Sequence, residues 1–343
     1  METVLVLLHN EADGSLPKAA LEAVAAGVRI SSELGAPGFV VGLIGQAVQP
    51  ALDRLATCGA QQFVCVDAPE LGQSRYATDA AAAEAVARHV GATVIVAPMT
   101  SRFARVLPGV THRLGGRVDT HATGLGVVDG ALGATRWFYR QRMEGTLGRT
   151  ERPWMILIDP GACPAWTGAP GTGSATSLAV TFGPALTRTS AVGIEAPAAE
   201  QQTIRPDADL LFVAGAGWTK KQADGQPHPA DAEAHILGFL KQSRASLGGS
   251  KSLVDLSGEG QAVLRFMTHL NQIGQTGASP RHPKGLATCC HGEEPHVVGW
   301  RFVTERRAVN LDPNCGWARG KADVLYVADA FAVMKKVNEL LAD

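Results

Sequence analysis

The first 115 residues alternate short apolar runs with longer segments in which apolar residues recur at helical spacing. The short runs lack a polar face, which is typical of strands buried on both sides of a parallel sheet. Because helical patterns separate them, the order predicts βαβ units. The predicted strands lie at 3–9, 38–45, 62–67 and 92–98, and the predicted helices at 17–35, 48–57, 77–90 and 102–114.

A segment rich in Gly, Ala, Pro, Ser and Thr interrupts this pattern between residues 161 and 200. Its apolar stretch 177–182 predicts one more strand, and its end has the composition of a linker. We therefore expect a first domain over 1–195 and a second over 205–343. The predicted fold class is α/β, with two doubly wound, Rossmann-like parallel-sheet domains.

The alternation of strands and helices resumes in the second domain. The predicted strands lie at 209–217, 285–290, 306–312 and 322–329, and the predicted helices at 231–248, 260–272 and 330–343.

Composition narrows the possible functions. The 343 residues carry a formal net charge of −1, whereas a nucleic-acid-binding protein normally has a basic excess. No apolar run approaches the roughly 20 residues of a membrane span. The six cysteines form no CxxC pair, and the apolar N-terminus lacks the basic residues of an export signal. Free thiols in a cytoplasmic protein are therefore expected.

The predicted strand segment 209–217 ends in glycines, at the strand end where ligands bind in open α/β sheets. Gly215 and Gly217 allow close backbone approach to a phosphate, although a plain turn has the same pattern. Ser250 and Lys251 offer a hydroxyl and an ammonium to a phosphate, although a surface loop also carries such residues.

Two further polar stretches occur in the second domain. Gln275, Thr276 and Gly277 form a polar cradle for a neutral heterocycle or a ribityl chain, or simply a well-made turn. Asn310 and Asp312 end a predicted strand, where their side chains suit an adenine or a ribose hydroxyl, or an Asx turn.

The stretch CCHGEEPH, residues 289–296, contains thiols, imidazoles and carboxylates. Cys289 and Cys290 would point to opposite faces of a strand, so they seldom chelate one ion, and no second ligand pair accompanies them. We expect no metal. Cys290 with His291 is a conceivable thiol site, and inert packing of the cysteines is the alternative.

These pieces occur in a specific order. The second half contains AGAGW, GGSKSLVD, IGQTG, CCHGEEPH, AVNLD and ADVLYVAD. The series resembles the flavin-binding domain of the α subunit of electron-transfer flavoproteins, whose corresponding segments are SGGRG, GASRxxVD, VGQTG, GISGAIQH, AINxD and ADYxxxD. Residues 97–116 and 157–164 resemble the N-terminal domain of that subunit, so the resemblance covers nearly the whole chain.

The resemblance implies an electron carrier without catalytic residues of its own. One FAD would be held mostly by the second domain. A β subunit would complete a heterodimer and contact the first domain. Electrons would come from a dehydrogenase, in a transient or a stable complex, and pass to an acceptor.

The resemblance also assigns cofactor contacts by position. Gln275, Thr276 and Gly277 would flank the isoalloxazine ring, and His296 would face its O2 atom, where negative charge collects on reduction. Ser250 and Lys251 would contact the phosphates. The other assigned contacts are Gly215, Gly217, His291, Asn310, Asp312 and Asp329, the last three beside the adenosine.

The chain departs from the family pattern at charged positions. Gly217 replaces the arginine of SGGRG; Lys220 or Lys221 could substitute for its charge, and Gly217→Arg is expected to raise the flavin potential. Glu293 and Glu294 add carboxylates near the pyrophosphate, which costs Coulomb energy unless they face away. The alternative hypothesis is a structural subunit of a dehydrogenase complex with a decayed flavin site that binds AMP or no cofactor.

Overall fold

The computed structural model describes residues 2–128, 130–139, 143–192, 205, 208–255, 263–273, 282–289, 300, 303–315 and 322–342. The chain divides into two compact units, unit 1 (Met1–Ile194) and unit 2 (Glu195–Asp343). Both are α/β units built on parallel strands, which confirms the predicted fold class. Within the described ranges, no helix is long and apolar enough to cross a membrane.

The described part of unit 1 contains a nine-stranded sheet in the order β7-β6-β5-β8-β4-β1-β2-β3-β9. Its strands are β1 (Val4–His9), β2 (Phe39–Gly45), β3 (Gln62–Asp67), β4 (Val94–Pro98), β5 (Arg117–Val128), β6 (Ala131–Phe138), β7 (Met143–Gly148), β8 (Trp154–Ile158) and β9 (Thr176–Ser177). Its helices are α1 (Lys18–Glu33), α2 (Gln49–Leu55), α3 (Tyr76–Val90), α4 (Ser101–Arg113) and α5 (Pro184–Thr187).

Helices cover both faces of this sheet. In β1, Val4, Val6 and Leu8 pack in a buried cluster with α1 and α2, whereas Leu5 and Leu7 pack in a second cluster with α3 and α4. Because alternate side chains of a strand point to opposite faces, a strand covered on both sides must be apolar throughout. This is why the continuous apolar runs of the sequence predict the parallel strands.

The antiparallel end of the unit 1 sheet was not predicted. Strands β5, β6 and β7 pair antiparallel, while β5 also pairs parallel with β8. These strands carry many polar or glycine positions and are less buried, so they lack the continuous apolar signal of the central strands. The predicted strand 177–182 is also wrong beyond Ser177, because Leu178, Val180 and Phe182 pack against the core without joining a ladder.

A buried carboxylate joins the antiparallel strands to the rest of the sheet. Asp119 of β5 accepts hydrogen bonds from Arg149 Nε (2.7 Å) and Nη2 (3.0 Å) and from the indole Nε1 of Trp154 in β8 (3.0 Å). Arg136 Nη1 of β6 lies 3.6 Å from the same carboxylate. Burial alone would raise the pKa of Asp119, but the two hydrogen-bond donors and the guanidinium charges outweigh burial and lower it.

Unit 2 contains, in its described residues, a five-stranded parallel sheet in the order β11-β10-β12-β13-β14. Its strands are β10 (Leu210–Ala214), β11 (Ser246–Gly249), β12 (Lys284–Thr288), β13 (Glu305–Asn310) and β14 (Val324–Val327). The helices are α6 (Pro229–Ser243), α7 (Lys251–Asp255) and α8 (Ala330–Ala342). Helices α6 and α8 pack together in a buried cluster with one face of the sheet.

Two predicted helices of unit 2 are wrong in part. The helix predicted over 231–248 ends at Ser243, because Arg244 takes a left-handed conformation (φ 55°) and the chain continues as β11. The helix predicted over 260–272 is absent from residues 263–272, where a 3-10 turn, His269–Asn271, is capped by the Thr268 side chain. In both cases the apolar residues suit either structure, and packing against the sheet decides between them.

We predict that Asp119→Asn destabilises unit 1 by about 2 kcal/mol near neutral pH, because the charged hydrogen bonds from Arg149 are weakened. Since the folded pKa is lowered, the carboxylate stabilises the protein fully above its unfolded pKa of about 3.9. That contribution is lost as the pH falls through the folded pKa. Urea titrations of wild type and variant should therefore converge on acidification. The exposed Glu33→Gln serves as the control, and a pH-independent difference would contradict the ionic role.

Candidate functional site

The parallel sheet of unit 2 brings the predicted cofactor residues to one edge. All five strands run in the same direction, so the segments that follow them lie at the carboxyl end of the sheet, where α/β folds bind ligands. Seven of the predicted site residues fall in described segments, and each lies at the end of a strand or shortly after it. They are Gly215 and Gly217 after β10, Ser250 and Lys251 after β11, Asn310 at the end of β13, Asp312 after β13, and Asp329 after β14.

A cavity of ≈ 240 Å³ lies at this edge. Four chain segments line it: Gly217 with residues 220–223 after β10, Cys289 after β12, residues 310–312 at the end of β13, and Ala328 with Ala330 after β14. Cavities that enclose whole drug-sized ligands measure roughly 300–1,000 Å³. The cavity therefore suits a part of a ligand about the size of a nucleoside.

Two backbone hydrogen bonds attach the turn after β10 to the end of β12. Gly215 N–H donates to Thr288 O (2.9 Å), and Gly217 N–H donates to Cys289 O (2.8 Å). A Cβ atom added at Gly217 would lie 2.5 Å from Cys289 O and 3.0 Å from Cys289 Cβ. The two segments approach too closely for any side chain at position 217, so the glycine is required by the backbone.

This contact corrects one expectation from the sequence. An arginine at position 217 would have to displace the Cys289 carbonyl before its guanidinium reached any ligand. Gly217→Arg is therefore expected to distort the cavity instead of raising a flavin potential.

Cys289 is a neutral thiol in the cavity wall. Burial, and then the negative charge of Asp329, raises its pKa to about 12. A thiol with that pKa is not a nucleophile near neutral pH. Its φ of 57° is in the left-handed region that favours glycine. The expectation that the cysteines are mere packing therefore needs refinement here, because the Cys289 backbone holds the glycine turn.

Asn310 and Asp312 line the cavity at the end of β13, which β12 separates from β10 in the sheet. The Asn310 side-chain oxygen accepts a hydrogen bond from Asp312 N (3.0 Å), and the Asp312 carboxylate accepts one from Asn314 N (2.8 Å). These are the Asx turns that the sequence offered as one interpretation. Both residues also line the cavity, so the turn orients an amide and a carboxylate toward the space where a ligand would lie.

Ser250 and Lys251 are close to β10 but are not among the residues lining the cavity. Ser250 is buried; its N–H donates to Ala214 O (3.0 Å), and its hydroxyl accepts a hydrogen bond from Leu253 N (3.2 Å). The hydroxyl therefore caps the start of α7. The assignment of these two residues to phosphates stays a prediction.

The residues assigned to the isoalloxazine ring lie outside the described part of the chain. They are Gln275, Thr276, Gly277 and His296, and His291 and Cys290 lie outside it as well. Their roles stay predictions.

The cavity also includes residues that the motifs did not assign. Lys220, Lys221 and Gln222 follow the 3-10 turn Ala216–Thr219 and also line the cavity. The Gln222 amide donates to Lys220 O (2.7 Å) and Gly217 O (3.1 Å), so it fixes the loop that carries the two lysines. A signal for this loop is present in the sequence, because two cations follow a strand-end glycine turn in GAGWTKK.

We predict that Gly217→Ala destabilises unit 2 by about 1–3 kcal/mol, since the added methyl group must separate the glycine turn from Cys289. Urea unfolding of the full-length chain measures the loss. Gly126→Ala is the matched control, because a Cβ atom there would meet no atom within 4 Å. Equal stability of the two variants would show that the close approach is not required.

Residues 4–184 match the family model described as electron transfer flavoprotein domain. The match covers more than half of the chain and falls within unit 1. No curated protein matches the chain.

Proposed function

The chain belongs to the electron transfer flavoprotein family, and from this premise we propose that it is an α-type subunit that binds FAD and relays electrons. The cofactor would be held mainly by unit 2. The electrons would come from a partner dehydrogenase and pass to an acceptor, so the chain would be a carrier and not a turnover enzyme.

The observation that carries this proposal is the cavity at the carboxyl edge of unit 2. Its lining includes Gly217, Asn310 and Asp312, which are distant from one another in sequence. Each lies in a motif that resembles a segment of the α subunit.

The donor and acceptor groups of the cavity suit the adenosine part of FAD. The Asp312 carboxylate would accept hydrogen bonds from ribose hydroxyls, and the Asn310 amide would pair with polar atoms of the ribose or the adenine. Ala328, Ala330 and Leu311 offer an apolar surface to the base. Gln275 and Thr276 would orient the isoalloxazine ring, which exchanges electrons when bound, and His296 would stabilise negative charge at its O2 atom.

The proposed partners follow from the same assignment. A β-type subunit would complete a heterodimer by contacting unit 1, and a dehydrogenase would donate electrons in a transient or a stable complex. We place the protein in the cytoplasm, where free thiols are the default; among the described residues, the five cysteines form no disulfide.

The experiment that tests this proposal is a visible absorption spectrum of the full-length chain purified with its β-type partner, followed by release and chromatography of the cofactor. One FAD per heterodimer, reducible by a dehydrogenase, is the expected result. A complex without flavin bands would overturn the proposal.

A second candidate function is a structural subunit that binds AMP or no cofactor. The nucleoside-sized cavity and the steric exclusion of an arginine at position 217 favour it. Release of AMP alone from a colourless complex would establish this function in place of electron transfer.

We predict that His296→Ala lowers the flavin reduction potential by tens of millivolts, because a donor or cation near the O2 atom would be lost. Redox titration of the FAD-containing complex measures the change. His89→Ala, an exposed substitution on α3, is the control. A potential equal to that of the control would remove His296 from the flavin site.

A further inference from the structure

We propose that Lys220 and Lys221 form a cationic wall of the unit 2 cavity and bind the phosphate groups of its nucleotide. This inference deepens the proposed function, since it rests on the cavity being a nucleotide site. It applies equally to FAD, ADP or AMP, because the recognised group is the phosphate.

The first observation is the distribution of charge around the cavity. Lys220 and Lys221, after β10, and Asp312, after β13, all line the cavity, and β12 lies between these two strands in the sheet. Lys220 is half-buried and Lys221 is exposed. In the described part of the chain, neither ammonium group takes part in an ion pair or a side-chain hydrogen bond. Two cations that share a cavity wall repel each other, and a bound anion would relieve that repulsion.

The second observation is that the loop bearing the lysines is held in place before any ligand binds. On its β10 side, buried Trp218 donates its indole N–H to Thr288 Oγ1 (2.9 Å) and packs on Phe331, with ring centroids 4.6 Å apart. After the lysines, Gln222 N–H donates to Gln226 O (2.9 Å), and the Gln222 side chain returns to the glycine turn. A preorganised loop loses little conformational entropy when it binds a ligand.

The third observation explains why the charge is carried by lysines beyond the turn. Gly217 admits no Cβ atom, so position 217 cannot supply a cationic side chain. Lys220 is the residue at which the 3-10 turn Ala216–Thr219 ends, and its N–H donates to Gly217 O (3.2 Å). It is the nearest lysine after the turn. A flexible ammonium with three donors can reach a phosphate without a close backbone contact.

Together these features predict the orientation of a bound nucleotide. The phosphates of a nucleotide would lie against the lysine wall, and the ribose hydroxyls would lie toward Asp312. The reverse orientation would place phosphate charge beside a carboxylate, which is repulsive. The cavity is therefore expected to prefer nucleoside phosphates to nucleosides.

Calorimetric titration of the nucleotide-free full-length chain with ADP and with adenosine tests this inference. Wild type should bind ADP more tightly than adenosine, and raised salt should weaken only ADP binding. Lys220→Met together with Lys221→Met should weaken ADP binding by about tenfold or more and leave adenosine binding unchanged. Lys220→Met alone should have a larger effect than Lys221→Met, because Lys220 is the less exposed residue.

Two controls accompany these variants. Lys241→Met removes the positive charge of a lysine in the last turn of α6. Lys241 is not among the residues lining the cavity, so this variant should leave ADP binding unchanged. Lys220→Arg with Lys221→Arg keeps the positive charge and should retain the preference for ADP. If the double methionine variant failed to fold, Lys220→Met and Lys221→Met as single variants, each compared with Lys241→Met, would decide the question.

The outcomes separate this inference from the proposed function. Equal affinity of wild type for ADP and adenosine, or an ADP affinity that the methionine variants do not change, would overturn the inference even if the complex contains FAD. The nucleotide-free chain could bind ADP through the lysines while the complex purified with its partner shows no flavin bands. That result would support the inference and overturn the electron-transfer role.

Discussion

The hydrogen bond from Gly217 N–H to Cys289 O is the constraint on which the candidate site depends. It brings the turn after β10 against the end of β12, so the segments from two strands form one wall. The approach leaves no space for a side chain at position 217 and holds Cys289 in a left-handed conformation. The turn therefore cannot carry a charged side chain at position 217. The polar side chains of the cavity come from other residues, which include Lys220 and Lys221 after β10 and Asp312 after β13.

The carboxyl edge of a parallel sheet explains why residues distant in sequence meet there. Each βαβ crossover returns the chain to the same end of the sheet, so every strand delivers its following loop to the same edge. Asn310 and Asp329 therefore approach the glycine turn without any local sequence relation to it. This part of the site could be predicted from the sequence, because continuous apolar runs mark the strands and polar residues directly follow them. The buried parallel strands β1 to β4 were predicted for the same reason.

Other features could not be predicted, for physical reasons that differ from place to place. Ala245 and Leu247 continue the apolar period of α6, and the left-handed Arg244 that ends the helix has no marker in the sequence. Strands β5 to β7 alternate weakly because part of their surface is exposed. From the sequence, the glycine at position 217 is the loss of the family's arginine, whereas in the structure a side chain there would meet the Cys289 carbonyl. The difference is visible only when the Cys289 carbonyl is placed, since nothing in the local sequence shows how closely two strands' loops approach.

The family match and the cavity lie in different units. Unit 1 contains the match to the electron transfer flavoprotein domain, and its apolar strands and the buried Asp119 cluster account for its stability. Unit 2 contains the cavity, which is lined by a glycine that admits no side chain, by two lysines and by the polar residues Asn310 and Asp312, and we propose that it binds a nucleotide. Family membership therefore does not determine what the cavity binds. If Lys220 and Lys221 supply the positive charge in place of the family's arginine, the cavity would still attract the phosphates of an adenine nucleotide. That replacement would also remove a cation fixed by the turn itself, so affinity for the nucleotide and tuning of a flavin would depend on different residues of this chain.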